Sequence, residues 1–349
     1  MNKLSIDKSN MYKNIIELPN HIQNSLKNFE NNSNLKKERY SKIESIIILG
    51  MGGSAITGLL VSELLKNDIN IPIYVNQNYT IPKWVNNKTL VIASSYSGNT
   101  EETLISCKEC LKRRSKIIAL TTGGKLFDLL KKEKYFDYVQ MPEGLQPRAT
   151  IGYSFSLMLI LFNKIKIIDD YFIKDLEKTI NPLIKKNKNY SKKDKSNIAY
   201  SIANKIYNKN PIIYAEDGVF NIIAYRFKCQ LNENSKIIAF NHAVPEMNHN
   251  EIESYTEKIS LNKNFIIIWF NDSIVYDRNQ KRIEIVSNIL KSKIKNQLFL
   301  EINLDDKKNK LLKYLSYINL VDWISYHCAI LNQVDPSTIP NINELKKSL

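Results

Sequence analysis

Short apolar runs alternate with longer stretches of helical periodicity through most of this chain. From Ser45 the sequence reads SIIILG and then GGSAITGLLVSELLKN, an aliphatic run followed by a helix-like segment, which predicts strand, tight turn and helix. PIYV (72–75), TLVIASS (89–95) and KIIAL (116–120) predict further strands, with helices over TEETLISCKECLKRR (100–114) and in TTGGKLFDLLKKE after the fourth strand. Strands and helices alternating at this spacing predict a doubly wound, parallel α/β sheet. PRATIGYSFSLMLILFNKI (147–165) is too long and too apolar for a strand, so it predicts a buried helix that closes the first half. The pattern restarts near Asn197: helix NIAYSIANKIYN, strand PIIYA (211–215), helix FNIIAYRFKCQLNENS, strands KIIAF (236–240) and FIIIWF (265–270), a helix over 277–292 and strand QLFLEIN. A long helix from Asp306 to Gln333 and a short one started by Pro340 finish the chain. The expected division is 1–165 for N-terminal helices and the first α/β domain, 166–195 for a helical linker, and 196–349 for a second α/β domain with its tail.

Composition narrows the class. A chain of 349 residues that is 43% hydrophobic has the material for two ordinary cores. Its formal charge of +15 suits anionic partners, but the basic residues are scattered rather than clustered with aromatics, which argues against a nucleic-acid surface. The opening MNKLSIDKSNMYKNIIELPN lacks the basic-then-apolar order of a signal peptide, and no apolar run of about eighteen residues occurs; a cytoplasmic protein away from membranes is expected. Cys107 and Cys110 form a C-x-x-C inside a helical pattern, without the helix-start context of a redox motif. With no second Cys/His pair at ligand spacing, neither a metal nor a cofactor is expected.

The chemistry-bearing segments are two turns. Gly50-Met51-Gly52-Gly53-Ser54-Ala55 lies between a strand and a helix, where glycines let backbone N–H groups approach an anion at a helix start. A dinucleotide turn would need an acidic residue about twenty positions on, and IPIYVNQNYT has none; a Walker Lys-Ser/Thr is also missing. Ser95-Tyr96-Ser97-Gly98-Asn99-Thr100 is a second hydroxyl-rich turn that opens a helix. Asn99 with Glu102 also fits a capping box that needs no ligand, but two such turns at neighbouring strand ends suit one phosphate. Glu233 in LNENSK is unusual on its own terms, an acid between two Asn residues at a helix end beside apolar segments, although a solvated helix end is the ordinary reading of such a residue.

ILGMGGSA, SSYSGNTEET, LTTGG (120–124), PEGLQPRATIGYSF (142–155), LNENSK (231–236), FNHAVPEMNHNEI (240–252) and VDPS (334–337) with LKKSL together resemble the bifunctional phosphoglucose/phosphomannose isomerases of the sugar isomerase (SIS) family. The resemblance spans the whole chain and implies two doubly wound, flavodoxin-like SIS subdomains with extra helices at both ends. It implies an aldose-ketose isomerase joining glucose 6-phosphate, and mannose 6-phosphate, to fructose 6-phosphate through a cis-enediol. Gly53, Ser54, Ser95, Ser97 and Thr100 match the family's phosphate-holding positions, and Arg148 the guanidinium near C1–C2 that stabilises the enediolate. Glu233 matches the carbon base and His249 the ring-opening histidine, which the family contributes across a homodimer interface; Lys346 matches the family's active-site lysine. Glu246 is the rival acid, with orientation of its loop as its expected role, and His242 is expected to be structural. Ser337 or Thr338 supplies the hydroxyl that the family uses to permit mannose chemistry; Ser337 stands where the commoner pattern has Thr. The alternative is a non-catalytic phosphosugar-sensing SIS module, but residues 1–44 carry no recognition-helix pattern for a regulator.

Overall fold

The computed structural model describes residues 6–256, 264–304 and 309–349. The chain divides into two compact units, Glu17–Asn181 and the stretch ending at Ile16 together with Pro182–Leu349. Helix Asp170–Tyr190 runs through the division, which falls at its internal Pro182.

In the N-terminal unit, strands β1 (Ser33–Asn34), β2 (Ser45–Leu49), β3 (Ile73–Asn76), β4 (Thr89–Ser94), β5 (Lys116–Thr121) and β6 (Asp137–Gln140) form one sheet in the order β1-β6-β5-β4-β2-β3. All neighbours are parallel except β1, which runs antiparallel to β6. β4 is buried along its entire length and β2 along nearly all of it, as a central strand covered on both faces requires. That is why both read as unbroken apolar runs. The short strands β1 and β6 are additions to the expected set; Asp137 at the start of β6 is buried and pairs with Arg39 and the Tyr40 hydroxyl. Helix Ile151–Lys164 is buried almost all round, as its sequence predicts.

In the C-terminal unit, β7 (Asn210–Glu216), β8 (Phe240–Val244), β9 (Phe265–Phe270) and β10 (Gln297–Leu300) form an all-parallel sheet in the order β10-β9-β7-β8. Helix Lys310–Leu331 is its spine, buried on every side despite carrying Lys313, Asn319, Asp322 and Ser325. The expected helix start at Asp306 lies outside the described residues; the observed start is capped by Asn309, whose side chain accepts from Leu312 N–H at 2.9 Å. Among the described residues no helix is long and apolar enough to cross a membrane.

Two expectations differ. The residues just before Ile16 belong with the C-terminal unit, because Asn187 Nδ2 donates to the Ile16 carbonyl at 2.6 Å and Tyr12 packs edge-on against Trp323. The 166–195 stretch, expected as a helical linker, is mostly the one helix Asp170–Tyr190. The strand expected over 236–240 begins only at Phe240, because Ile237 is used by the preceding turn: its N–H donates to Leu231 O and its carbonyl accepts from Asn232.

Candidate active site

In the N-terminal unit, β2 and β4 are paired neighbours, with Leu49 opposite Ala93, so the turns that follow them start side by side. A Cβ on Gly50 would stand 3.1 Å from the Ser94 carbonyl, a measure of how closely the first turn lies on the end of β4. Helices Gly52–Leu65 and Glu101–Lys112 then begin with no side-chain cap. The capping box open to Asn99 and Glu102 is not formed: Asn99 Oδ1 accepts from Lys125 N–H at 3.1 Å, at the start of helix Gly124–Leu130, and Thr100 stands at the cap position with its hydroxyl 2.9 Å from that of Ser95. Ser97 Oγ accepts from Asn99 N–H at 3.2 Å. Gly98, at φ 64°, tolerates no side chain, since a Cβ there would lie 1.8 Å from the Gly123 carbonyl. Two helix N-termini and a set of neutral hydroxyls therefore share one end of the sheet, an environment suited to an anion.

Arg148 belongs to this same end. It sits in the single turn Pro147–Ala149 and is 5% exposed. The Pro147 carbonyl lies 3.1 Å from where a Cβ on Gly53 would be, so a larger residue at 53 would push this turn away from the first helix. Tyr96, within the second hydroxyl turn, fixes the approach to Arg148: its hydroxyl donates to Pro142 O and accepts from Leu145 N–H, both at 2.9 Å. Burial raises the Tyr96 hydroxyl above the ordinary tyrosine value, which keeps it a donor. The structure thus brings Gly53, Ser54, Ser95, Ser97, Thr100 and Arg148 to one locality. Tyr96 and Asn99 are its organisers; the sequence offered only a place between two serines for Tyr96 and a capping role for Asn99.

In the C-terminal unit, Glu233 stands on a single π turn, Leu231–Ser235, that prolongs helix Val219–Gln230. Its flanking amides explain the polar sequence. Asn234 Nδ2 donates to Ser325 Oγ at 2.9 Å, Ser235 Oγ donates to Ser325 O at 2.6 Å, and Asn232 Nδ2 donates to Ile237 O at 2.8 Å. Below the turn, Arg226 forks onto Asp322 at 3.0 and 2.7 Å, and Gln230 adds a bond to the same carboxylate at 2.8 Å. Glu233 itself is half-buried. Burial raises the Cys229 thiol and the Tyr225 hydroxyl, and the Glu233 charge raises both further.

His249 is exposed at the end of the turn Glu246–His249. Glu246 accepts from Asn250 Nδ2 at 2.9 Å, a bond across its own loop. His242 Nδ1 lies 2.6 Å from Glu251 Oε2, while Tyr214 donates to the other oxygen of that carboxylate at 2.6 Å, so this histidine is tied into the β7–β8 surface. Lys346 is exposed on helix Pro340–Ser348. Ser337 is buried and Thr338 exposed; Ser337 N–H donates to Asp335 Oδ1 at 2.8 Å. Cys107 and Cys110 are fully buried free thiols, the first raised by burial and the second pushed up to about 12, states unsuited to redox or metal chemistry. Among the described residues no group of His, Cys, Asp and Glu is arranged to hold a metal.

A 344-residue alignment links this chain, at 38% identity, to the bifunctional phosphoglucose/phosphomannose isomerase of Caldicellulosiruptor bescii, covering 97% of this chain and 98% of that protein. The chain belongs to the bifunctional phosphoglucose/phosphomannose isomerase family. It is accordingly an isomerase. The family enzyme of Thermoplasma volcanium is 33% identical over 90% of this chain and 94% of its own length. Residues 195–349 match the bacterial phospho-glucose isomerase C-terminal SIS domain, the half in which Glu233, His249 and Lys346 lie. The fold resembles the C-terminal domain of glucosamine-fructose-6-phosphate aminotransferase from Francisella tularensis, with a TM-score of 0.74 at 18% identity over 94% of this chain and 98% of that one. SIS architecture is therefore common to proteins of different chemistry.

Proposed function

We propose that this isomerase interconverts glucose 6-phosphate, and also mannose 6-phosphate, with fructose 6-phosphate. The reading rests on one observation above all: two uncapped helix starts with their hydroxyl turns, and the Arg148 turn held against them, in a chain that follows the bifunctional family along nearly its whole length. Ser54, Ser95, Ser97 and Thr100, with Gly53 backbone, hold the phosphate by neutral donors and helix dipoles. The Glu233 carboxylate removes the C2 proton of the open-chain aldose and returns it to C1, while the O2 hydroxyl proton passes to O1 through the cis-enediol. Arg148 stabilises the negative charge that develops on the enediolate oxygens. His249, supplied by a second copy of the chain, opens the ring, and Lys346 assists at the sugar oxygens. Return of the proton to the opposite face of C2, after rotation about C2–C3, gives the mannose product. Neither a metal nor a cofactor has a step in this scheme.

A coupled assay that presents fructose 6-phosphate and follows glucose and mannose products separately, with and without EDTA, tests the proposal. Both products are expected to form, with chelator making no difference, and Glu233→Gln is expected to lower kcat by about 10²- to 10⁴-fold while fructose 6-phosphate still binds. Binding without turnover in the unmodified protein would point to a sensor, and full chelator sensitivity to a metal isomerase.

A further inference from the structure

The side chain of Lys236 joins two segments that sequence separates by about a hundred residues. Its ammonium donates to the carbonyls of Glu233 at 2.6 Å, Asp335 at 3.0 Å and Thr338 at 2.8 Å. One acceptor closes the π turn that carries the acid, and the other two lie on the loop that carries Ser337 and Thr338. Lys236 also sits at φ 57°, a left-handed conformation that a lysine adopts only at a cost, immediately after the π turn. A lysine that is merely solvated needs neither the strained backbone nor three carbonyls from two loops.

The connection has a second strand, since Asn332 Nδ2 donates to Ser235 O at 3.0 Å, and a counterpart behind the turn, where Asn234 and Ser235 are anchored on Ser325. The Glu233 turn is therefore held from the helix side independently of Lys236. What the ammonium adds is the distance between that turn and the 335–338 loop, and with it the start of helix Pro340–Ser348, which carries Lys346. Three donors on one small cation are well matched to three carbonyls converging from different directions, which a planar guanidinium is not.

We propose that Lys236 is a positioning residue that sets the Glu233 carboxylate against the Ser337 and Thr338 hydroxyls, and thereby governs to which face of C2 the proton returns. The inference deepens the isomerase reading and rests on it. Loss of the staple leaves the phosphate turns untouched, so it acts on the chemical step and on product choice rather than on substrate capture.

Lys236→Gly is the informative variant, because glycine keeps the left-handed backbone without strain while removing the ammonium together with its aliphatic stem; Lys236→Arg keeps the charge in the wrong shape. With fructose 6-phosphate as substrate, Lys236→Gly is expected to lose about 10- to 100-fold in kcat, with KM nearly unchanged and a shifted glucose-to-mannose product ratio. Propylammonium added to Lys236→Gly is expected to restore part of the rate and of the ratio, and Lys236→Arg is expected to restore neither. Amide hydrogen exchange over 334–349 is expected to quicken in Lys236→Gly while the exchange of helix Lys310–Leu331 stays as in the parent. A kcat and product ratio at parental values in Lys236→Gly, or an activity loss that accompanies faster exchange throughout the unit, overturns the positioning role. An unmodified protein inert toward fructose 6-phosphate, or turnover that survives Glu233→Gln, overturns instead the reading on which it rests.

Discussion

The two units use one strand-helix grammar and finish it by different means. Nine of the ten glycines lie in Glu17–Asn181, and the sole one in the C-terminal unit is Gly218. In the N-terminal unit the turns after β2 and β4 are shaped by backbone, with glycines admitting carbonyls to distances at which a side chain would collide, and they leave two helix starts uncapped. The corresponding turn after β7 reads Glu216-Asp217-Gly218, and Glu216 is already engaged with Tyr276 N–H at 2.9 Å and Asn279 Nδ2 at 3.0 Å. Two carboxylates at a helix start repel an anion, so this turn lacks the anion-favouring setting of the two glycine-shaped turns. Its own functional turn is instead shaped by side chains, through Asn232, Asn234, Ser235, Lys236 and the buried Arg226–Asp322 pair. A repeated fold thus fixes where turns occur, and the local residues decide whether a turn binds charge or presents it.

If this contrast is right, the units fail differently. The largest effect is expected on the side-chain side: Arg226→Met leaves Asp322 buried with half its partners gone, which costs about 3–5 kcal/mol, read as a fall in the denaturation midpoint of the C-terminal unit. Arg226→Met with Asp322→Leu is expected to recover most of it, because the penalty lies in the orphaned charge.

Acid should act first on the other unit. Burial holds His21, stacked on Tyr153 at 4.3 Å, down at about 4, whereas an unfolded histidine protonates near 6.5. Between those values the unfolded chain binds the extra proton, so stability is intact above pH 6.5 and falls as pH drops toward 4, by about 3 kcal/mol in all. His21→Phe is expected to flatten that part of the stability-pH curve; a curve unchanged by the substitution would remove His21 from the account.

A smaller effect is expected from Gly98→Ala. Strain at the positive φ alone costs about 1–3 kcal/mol, and because the new Cβ cannot stay 1.8 Å from the Gly123 carbonyl the two turns must part, which should appear mainly as a raised KM for the sugar phosphate. A KM unchanged in Gly98→Ala would mean that the backbone of this turn does not shape the phosphate site.

Legibility followed the range of the forces involved. SIIIL and TLVIAS announced central strands because burial on both faces leaves no room for a polar alternation, and the hydroxyl turns were visible because glycine and serine have few other reasons to cluster at a strand end. The KIIAF segment misled, since its apolar run fits a strand equally well, and only the bonds of Ile237 to Leu231 and Asn232 show that the first half is spent on the π turn. The short helix Met11–Ile16 misled for a similar reason: nothing local says which core a short helix joins.

The amino-acid order alone determined the two α/β halves, the two neutral hydroxyl turns and, through resemblance, the acid, the histidine, the arginine and the lysine for which roles are proposed. Those depend on neighbours within a few residues, where periodicity and turn chemistry act. Folding decided what holds them: Asn99 reaching the helix that follows β5, Tyr96 steadying the approach to Arg148, Ser325 fastening the turn of Glu233, and Lys236 meeting the 335–338 loop. Such bonds join segments remote along the chain, and a lone Asn, Tyr or Lys carries no mark of a partner that only packing brings within three ångströms.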